Sequence, residues 1–214
     1  MAEFVFARLL QVWKHLRTLD IQQTDKIWTA KFGTQAAGKT IGIVGLGTIG
    51  REVATRAKAF GMEILATRRS SLPGDSDPDT NRLFPYDQLD QMLPLCDVVV
   101  VSAPASEETK DLFDDEMFQQ MKPGAIFCNV ARGSLVVEES LAKALHEGQV
   151  GAAILDVTRE EPLPSESPLW TVPNLYLSPH CSVSLDNYQE DAAKIVSINA
   201  KRLLSGQRLT NIIE

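Results

Sequence analysis

Glycines 45, 47 and 50 fall in the run Ile41-Gly42-Ile43-Val44-Gly45-Leu46-Gly47-Thr48-Ile49-Gly50, and their spacing suits a turn that cradles phosphate. A G-x-G-x-x-G that leaves an apolar β-forming run and enters a helical pattern is the fingerprint of a dinucleotide-binding βαβ unit. Gly45 permits the tight turn, Gly47 lets the backbone approach a pyrophosphate, and Gly50 lets the helix pack closely on the strand. The N–H groups of Thr48 and Ile49, at the positive end of the helix dipole, would face the phosphates. About twenty residues further on, an NAD site carries an acid for the ribose hydroxyls. Here the chain reads Ala66-Thr67-Arg68-Arg69-Ser70 instead. A guanidinium forks onto phosphate oxygens and stays charged, whereas an acid would repel a 2′-phosphate. Arg68, Arg69 and Ser70 therefore favour NADP(H), with NAD(H) as the alternative and a solvated basic turn as the bland reading.

Ligands of open α/β sheets gather outside the carboxyl ends of the strands. Three segments there carry unusual polar residues: Asn129-Val130-Ala131-Arg132-Gly133-Ser134, Leu155-Asp156-Val157-Thr158-Arg159-Glu160-Glu161-Pro162, and Ser178-Pro179-His180. Taken singly, Arg132 reads as a surface-loop arginine, Glu161 as a solvated acid and His180 as a turn residue.

The elements that must position these groups alternate. Apolar residues at helical period predict an amphipathic helix over 3–19, then an irregular segment containing Trp28 and Gly33. Strands are predicted at 41–44, 63–67, 97–102, 125–129, 151–155 and 175–177. Helices are predicted at 51–60, 87–92, 114–121, 138–147 and 185–204, the last two closed by Gly148 and Gly206. The run Val98-Val99-Val100-Val101 is too uniformly apolar for a half-exposed strand and suits a parallel strand covered on both faces. Residues 70–79, with two prolines, a glycine and three aspartates, read as a surface loop. Strands alternating with helices define an α/β, doubly wound parallel sheet.

Composition narrows the function classes. At 214 residues the chain can bury a substantial core, and a net charge of −7 argues against non-specific nucleic-acid binding. No apolar run reaches membrane-spanning length. The three cysteines, Cys96, Cys128 and Cys181, have no metal-like spacing and form no disulfide framework, so no metal site and a reducing, cytoplasmic setting are expected. The basic, amphipathic segment 1–17 keeps a mitochondrial transit peptide as the alternative.

Read in order, Gly45 to Gly50, Lys122-Pro123-Gly124, Asn129 to Gly133, Gly151 to Val157, Glu161-Pro162-Leu163-Pro164 and Pro179-His180 resemble the D-isomer-specific 2-hydroxyacid dehydrogenase family. The basic pair after the second strand is similar to that of its glyoxylate and hydroxypyruvate reductases. The resemblance implies reduction of a small 2-oxoacid to the D-2-hydroxyacid. It gives Arg132 the substrate carboxylate and carbonyl, His180 the role of general acid, and Glu161 that of holding the imidazole. It puts Asp156 near the nicotinamide amide, with Pro104 and Ala131 along the cofactor beside Arg132 and His180. This chemistry is coherent: hydride reaching a carbonyl carbon leaves charge on oxygen, which a cationic donor stabilises and a histidine protonates. Departures are few. Val136-Val137-Glu138 stands where Val-Asp-Glu is usual, which would alter a helix cap, and Cys181-Ser182 follow His180.

The resemblance further implies that 1–20 is a linking helix, 21–183 the dinucleotide-binding domain and 184–214 a helix returning to a substrate domain. Most of that substrate domain would lie ahead of Met1. Without it, Phe4, Val5, Leu9 and Ile195 are expected to be exposed, which favours association. The family pattern implies a homodimer, with the segment around Trp28 in the contact. The alternative function is a non-catalytic NADP(H)-binding module or truncated fragment acting through association.

Overall fold

Short apolar runs and segments of helical period alternate along the chain, and in the computed structural model the runs form one sheet of seven parallel strands. The structure describes residues 1–184, 186 and 188–210. The strands are β1 (Thr40–Val44), β2 (Glu63–Arg68), β3 (Arg82–Pro85), β4 (Val98–Val101), β5 (Ala125–Asn129), β6 (Val150–Leu155) and β7 (Leu175–Leu177). Their spatial order is β3-β2-β1-β4-β5-β6-β7, so the chain reverses direction across the sheet between β1 and β4. Helices α1 (Ala2–Trp13), α2 (Leu16–Thr24), α3 (Thr48–Ala59), α4 (Leu89–Met92), α5 (Asp115–Gln120) and α6 (Glu138–Glu147) accompany it. Residues 1–182 make one compact unit. A second, 183–214, holds α7 (Tyr188–Leu204).

Both faces of the sheet are covered, as the valine run of β4 requires. Val98 and Val100 pack with Ile41, Ile43, Val53 and Ala57 on the α1/α3 side. Val99 and Val101 pack with Phe113, Phe118 and Phe127 on the α5/α6 side, and all four valines are fully buried. The three phenylalanine rings have centroids 4.8 to 5.8 Å apart in tilted and edge-on pairs, a favourable geometry for their quadrupoles.

The N-terminal helical segment differs from expectation in two ways. It breaks at Lys14–His15, where His15 takes φ 55°, into α1 and α2. The carbonyl of Trp13 accepts the Thr34 N–H at 2.9 Å, so the returning segment 33–34 meets the end of the helix. No glycine or proline marks that break. Val5 and Leu9 are also buried, and Phe4 is partly buried: α1 lays its apolar face on α3, and Phe6 stacks on Phe60 at 5.1 Å. The expected exposure of Phe4, Val5 and Leu9 is therefore overturned. Strand β3, outside the predicted strands, is a four-residue edge strand ending in a proline.

Within the second unit no described residue of α7 is buried, and Ile195, Val196, Ile198, Leu203 and Leu204 are exposed. Its expected start, Leu185, lies outside the described residues. Asn199 ties the helix to the following turn, accepting from the Thr210 N–H at 3.0 Å and donating to its carbonyl at 2.9 Å. Among the described residues no helix is long and apolar enough to cross a membrane.

Candidate active site

The glycine turn lies at the carboxyl end of β1, beside the reversal of strand order where ligands of such sheets bind. Gly45 has φ 98°, a conformation that side chains rarely adopt, and any Cβ there would press on Ala103 at 2.7 Å. A Cβ on Gly50 would collide with the Gly45 carbonyl oxygen and stand 3.0 Å from Ile43 Cγ2. Gly47 differs, because a Cβ there would meet open space. Nothing in the protein requires glycine at 47, and the room that it leaves at the N-cap of α3 fits a pyrophosphate. Ser102, after β4, fixes the turn by donating to the Gly45 carbonyl at 2.8 Å.

Arg68 closes β2, with Arg69 and Ser70 in the turn that follows. Among the described residues four buried polar side-chain atoms have no partner, Thr67 Oγ1, Arg68 Nε, Ser71 Oγ and Tyr86 OH, and all belong to residues at or just after the ends of β2 and β3. Buried polar groups are nearly always satisfied, so a group of orphans marks a place for a polar ligand or water. The buried Asp77 carboxylate engages this end, accepting from Arg68 Nη1 at 3.2 Å and from both Arg51 Nη atoms at 3.0 and 2.7 Å. Hydrogen bonds from Arg51, outweighing burial, hold the Asp77 carboxyl below the usual aspartate range. Arg51 also reaches Asp79, so the loop of residues 70–81 is strapped to the first turns of α3.

The other candidates gather at the carboxyl ends of β4 to β7. Pro104 follows β4, its carbonyl accepting from Thr109 Oγ1 at 2.9 Å. Ala131 and Arg132 follow β5, where the Asn129 side chain shapes the turn: Oδ1 accepts the Ala131 N–H at 3.0 Å and Nδ2 donates to the Arg132 carbonyl at 2.8 Å. Asp156 and Glu161 follow β6. His180 follows β7 with φ 52°, a strained backbone position of the kind that active sites concentrate.

His180 and Glu161 meet. Imidazole Nδ1 and Glu161 Oε2 are 2.8 Å apart, and Glu161 Oε1 accepts the Thr158 N–H at 3.0 Å. Burial pushes the Glu161 carboxyl up. The hydrogen bonds from His180 and Thr158 and the charges of His180 and Arg132 outweigh it, and leave that carboxyl below the usual glutamate range. Asp156, only 1% exposed, lies beneath the pair. Its Oδ1 accepts from Ser178 Oγ at 2.8 Å and the Cys181 N–H at 3.0 Å, and its Oδ2 accepts the Ser182 N–H at 3.0 Å. Its carbonyl takes the His180 N–H at 2.8 Å. Burial again opposes ionisation, and the bonds from Ser182 and Ser178 prevail to keep its carboxyl low. A cavity of about 560 Å³ opens beside the dyad, with Leu163, Trp170 and Leu177 among its apolar walls.

Arg51, Asp77 and Ser102 give no sign of a role in the sequence, and Arg159 stands in a polar segment without one; each acquires its partner only in the fold. Cys96 and Cys128 are buried, and burial raises both thiols, the first to about 12. Cys181 is exposed. Val137 caps α6 without a side-chain bond, and Glu138 turns to the Arg159 N–H instead. Among the described residues no group of three or more His, Cys, Asp or Glu could hold a metal ion.

Sheet order, glycine turn and dyad define the class: a Rossmann-type dinucleotide-binding domain of a dehydrogenase. The chain belongs to the D-isomer specific 2-hydroxyacid dehydrogenases, whose NAD binding domain profile matches residues 6–182. It is 36% identical over 202 residues to a glyoxylate reductase of Thermococcus onnurineus, covering 94% of this chain and 59% of that protein. It is 35% identical over 181 residues to the D-3-phosphoglycerate dehydrogenase of Methanocaldococcus jannaschii, covering 85% of this chain and 34% of that one. A solved 2-hydroxyacid dehydrogenase family protein from Aeromonas salmonicida superposes with a TM-score of 0.90 at 38% identity, over 100% of this chain and 67% of that one. An NADPH-dependent glyoxylate/hydroxypyruvate reductase from Sinorhizobium meliloti, in complex with NADP and sulfate, gives 0.88 at 27% identity with the same coverage. The chain thus spans less than two thirds of the curated relatives described.

Proposed function

We propose that this chain serves the reduction of a small 2-oxoacid, of glyoxylate or hydroxypyruvate type, to the D-2-hydroxyacid, with NADPH as the hydride donor. The observation that carries the reading is the 2.8 Å contact between His180 and Glu161 at the strand ends that also hold Arg132. The bound nicotinamide would supply the hydride. Gly45, Gly47, Thr48, Ile49 and Gly50 hold the pyrophosphate, and Arg68, Arg69 and Ser70 hold the 2′-phosphate. The unpartnered Arg68 Nε and the NADP complex of the Sinorhizobium reductase support NADP(H) over NAD(H). Pro104 and Ala131 line the cofactor, and Asp156 serves the nicotinamide end by fixing residues 178–182.

Arg132 binds the substrate carboxylate and polarises its carbonyl. Glu161 accepts from Nδ1, which leaves Nε2 of the imidazolium to give its proton to the carbonyl oxygen as negative charge develops there. In the whole protein, 1–20 links to a substrate domain, 21–183 binds the dinucleotide and 184–214 returns to the substrate domain. Wholly exposed Trp28 and Phe32 support a homodimer through that segment, and free thiols support a cytoplasmic setting.

The test is NADPH binding to the purified chain together with NADPH oxidation on glyoxylate and hydroxypyruvate. Turnover that His180→Ala abolishes while sparing NADPH affinity supports the reading. Loss of both together marks His180 as structural and overturns its assigned role.

A further inference from the structure

We propose that Arg159 is a positioning residue that locks the Glu161 loop against the Arg132 turn and thereby sets the His180–Glu161 hydrogen bond. Its guanidinium links three strand-end loops. Nε donates to the Val136 carbonyl at 2.5 Å, and Nη2 pairs with Asp111. Its backbone N–H donates to Glu138 Oε1 at 2.7 Å. Asp111 belongs to the loop after β4, Val136 and Glu138 follow β5, and Arg159 itself follows β6.

The partners are themselves fixed. The Asp111 N–H donates to the Ser134 carbonyl at 2.9 Å, and the Phe113 N–H to that of Leu135 at 2.9 Å; Phe113 pairs with Val136 as an isolated bridge. Arg159 thus grips a frame that is hydrogen-bonded from Asp111 to Val137. On its other side, Thr158 gives its N–H to Glu161 Oε1 and its hydroxyl to the Glu160 carbonyl at 2.7 Å. Glu161 is two residues from the anchored position, which leaves the carboxylate little freedom. The backbone at Thr158–Arg159 lies against Gly133 so closely that no Cβ fits between them. Any slack at Arg159 therefore moves Glu161 relative to both Arg132 and His180. The Arg159–Asp111 pair is half-exposed and contributes little as a bare ion pair. Its value lies in the planar fork, which engages a carbonyl and a carboxylate in one fixed orientation that lysine cannot reproduce in full.

The inference rests on the hydride-transfer reading only for the purpose of the dyad, so its test avoids turnover. In ¹⁵N-histidine-labelled chain, His180→Ala identifies the His180 imidazole signals among the three histidines. The wild type is expected to show a protected Nδ1–H, and Glu161→Gln to alter it. Arg159→Ala should speed exchange of that proton with water by about tenfold or more, as expected on loosening a charge-assisted hydrogen bond. Arg159→Lys should restore part of the protection. Asp111→Ala removes the anchor from outside the loop and should reproduce the effect, so it serves if Arg159→Ala fails to fold. A His180 spectrum unchanged in the folded Arg159→Ala or Asp111→Ala chain, while Glu161→Gln alters it, overturns the proposal. Absence of turnover with these shifts present would instead count against the reaction reading alone.

Discussion

Gly133→Ala is the sharpest perturbation of the site's framework, because the added carbon meets only backbone. Its Cβ would overlap Thr158 C and O and lie 2.5 Å from Arg159 N. Ordinary carbon contacts need about 3.5 Å or more, so the two loops must part by roughly 1 Å. No flexible side-chain end is present to give way, which puts the cost near the upper part of the roughly 1–3 kcal/mol typical of overpacking. Replacing glycine by alanine returns about 0.4–1 kcal/mol by restricting the unfolded chain. The net loss is about 2 kcal/mol, and at about 2–4 °C per kcal/mol for a domain of this size the midpoint should fall by about 4–8 °C. A displacement of about 1 Å between reacting groups can also cost a hundredfold in rate, so reduction should suffer more than NADPH affinity, whose glycine turn lies on β1. Thermal unfolding, NADPH titration and NADPH oxidation on glyoxylate, the last for the proposed activity, check these together. A midpoint within 1 °C of wild type would refute the claim that these backbones are in obligatory contact.

Gly47→Ala is the contrasting case: its Cβ meets open space, so stability should hold while NADPH affinity falls by about tenfold to a hundredfold, read by fluorescence titration. Unchanged affinity would remove the pyrophosphate from that space. Arg68→Asp should shift preference from NADPH toward NADH by about tenfold to a hundredfold, in line with loss of a charged hydrogen bond; an unchanged ratio of dissociation constants counts against the 2′-phosphate assignment. Asp77 is held low mainly by Arg51, and Asp156 by hydrogen bonds that outweigh its burial, so both stabilise the fold fully above the unfolded value of about 3.9 and lose that contribution as pH falls through their folded values. Urea midpoints should therefore be level near pH 6 and drop below about pH 4; a level profile to pH 3 would contradict the shifts. The proposed homodimer through the Trp28 segment predicts that Trp28→Glu converts dimer to monomer in sedimentation; a dimer that Trp28→Glu leaves intact, or a wild-type monomer, would count against that interface.

Much of this architecture is legible in the residues, because the features that encode it are local. The ends of α6 follow from Glu138 and Gly148, and β4 from four successive valines that only a doubly covered strand accommodates. The glycine turn and the three polar segments were visible for the same reason, each an unusual residue set directly after an apolar run. What escaped depends on partners distant in sequence. The break after Trp13 is marked by no helix breaker and comes with Thr34 at its carbonyl. Edge strand β3 exists because β2 offers it a ladder from Leu65 to Arg68. Burial of Val5 and Leu9 is not legible locally, because the face that carries them suits a covering domain as well as it suits α3, which covers it. Asp77 and Arg159 look like solvated loop charges until Arg51 and Asp111 are brought to them.

His180 is delivered by β7, a strand of three residues that pairs with β6 alone, from Ala153↔Leu175 to Leu155↔Leu177. The glycine turn follows β1, which is flanked on both sides by β2 and β4. Short edge segments open at lower free energy than the centre of a sheet. The two ends of the site are therefore expected to open separately: as denaturant rises, the segment carrying His180 should loosen before the glycine turn.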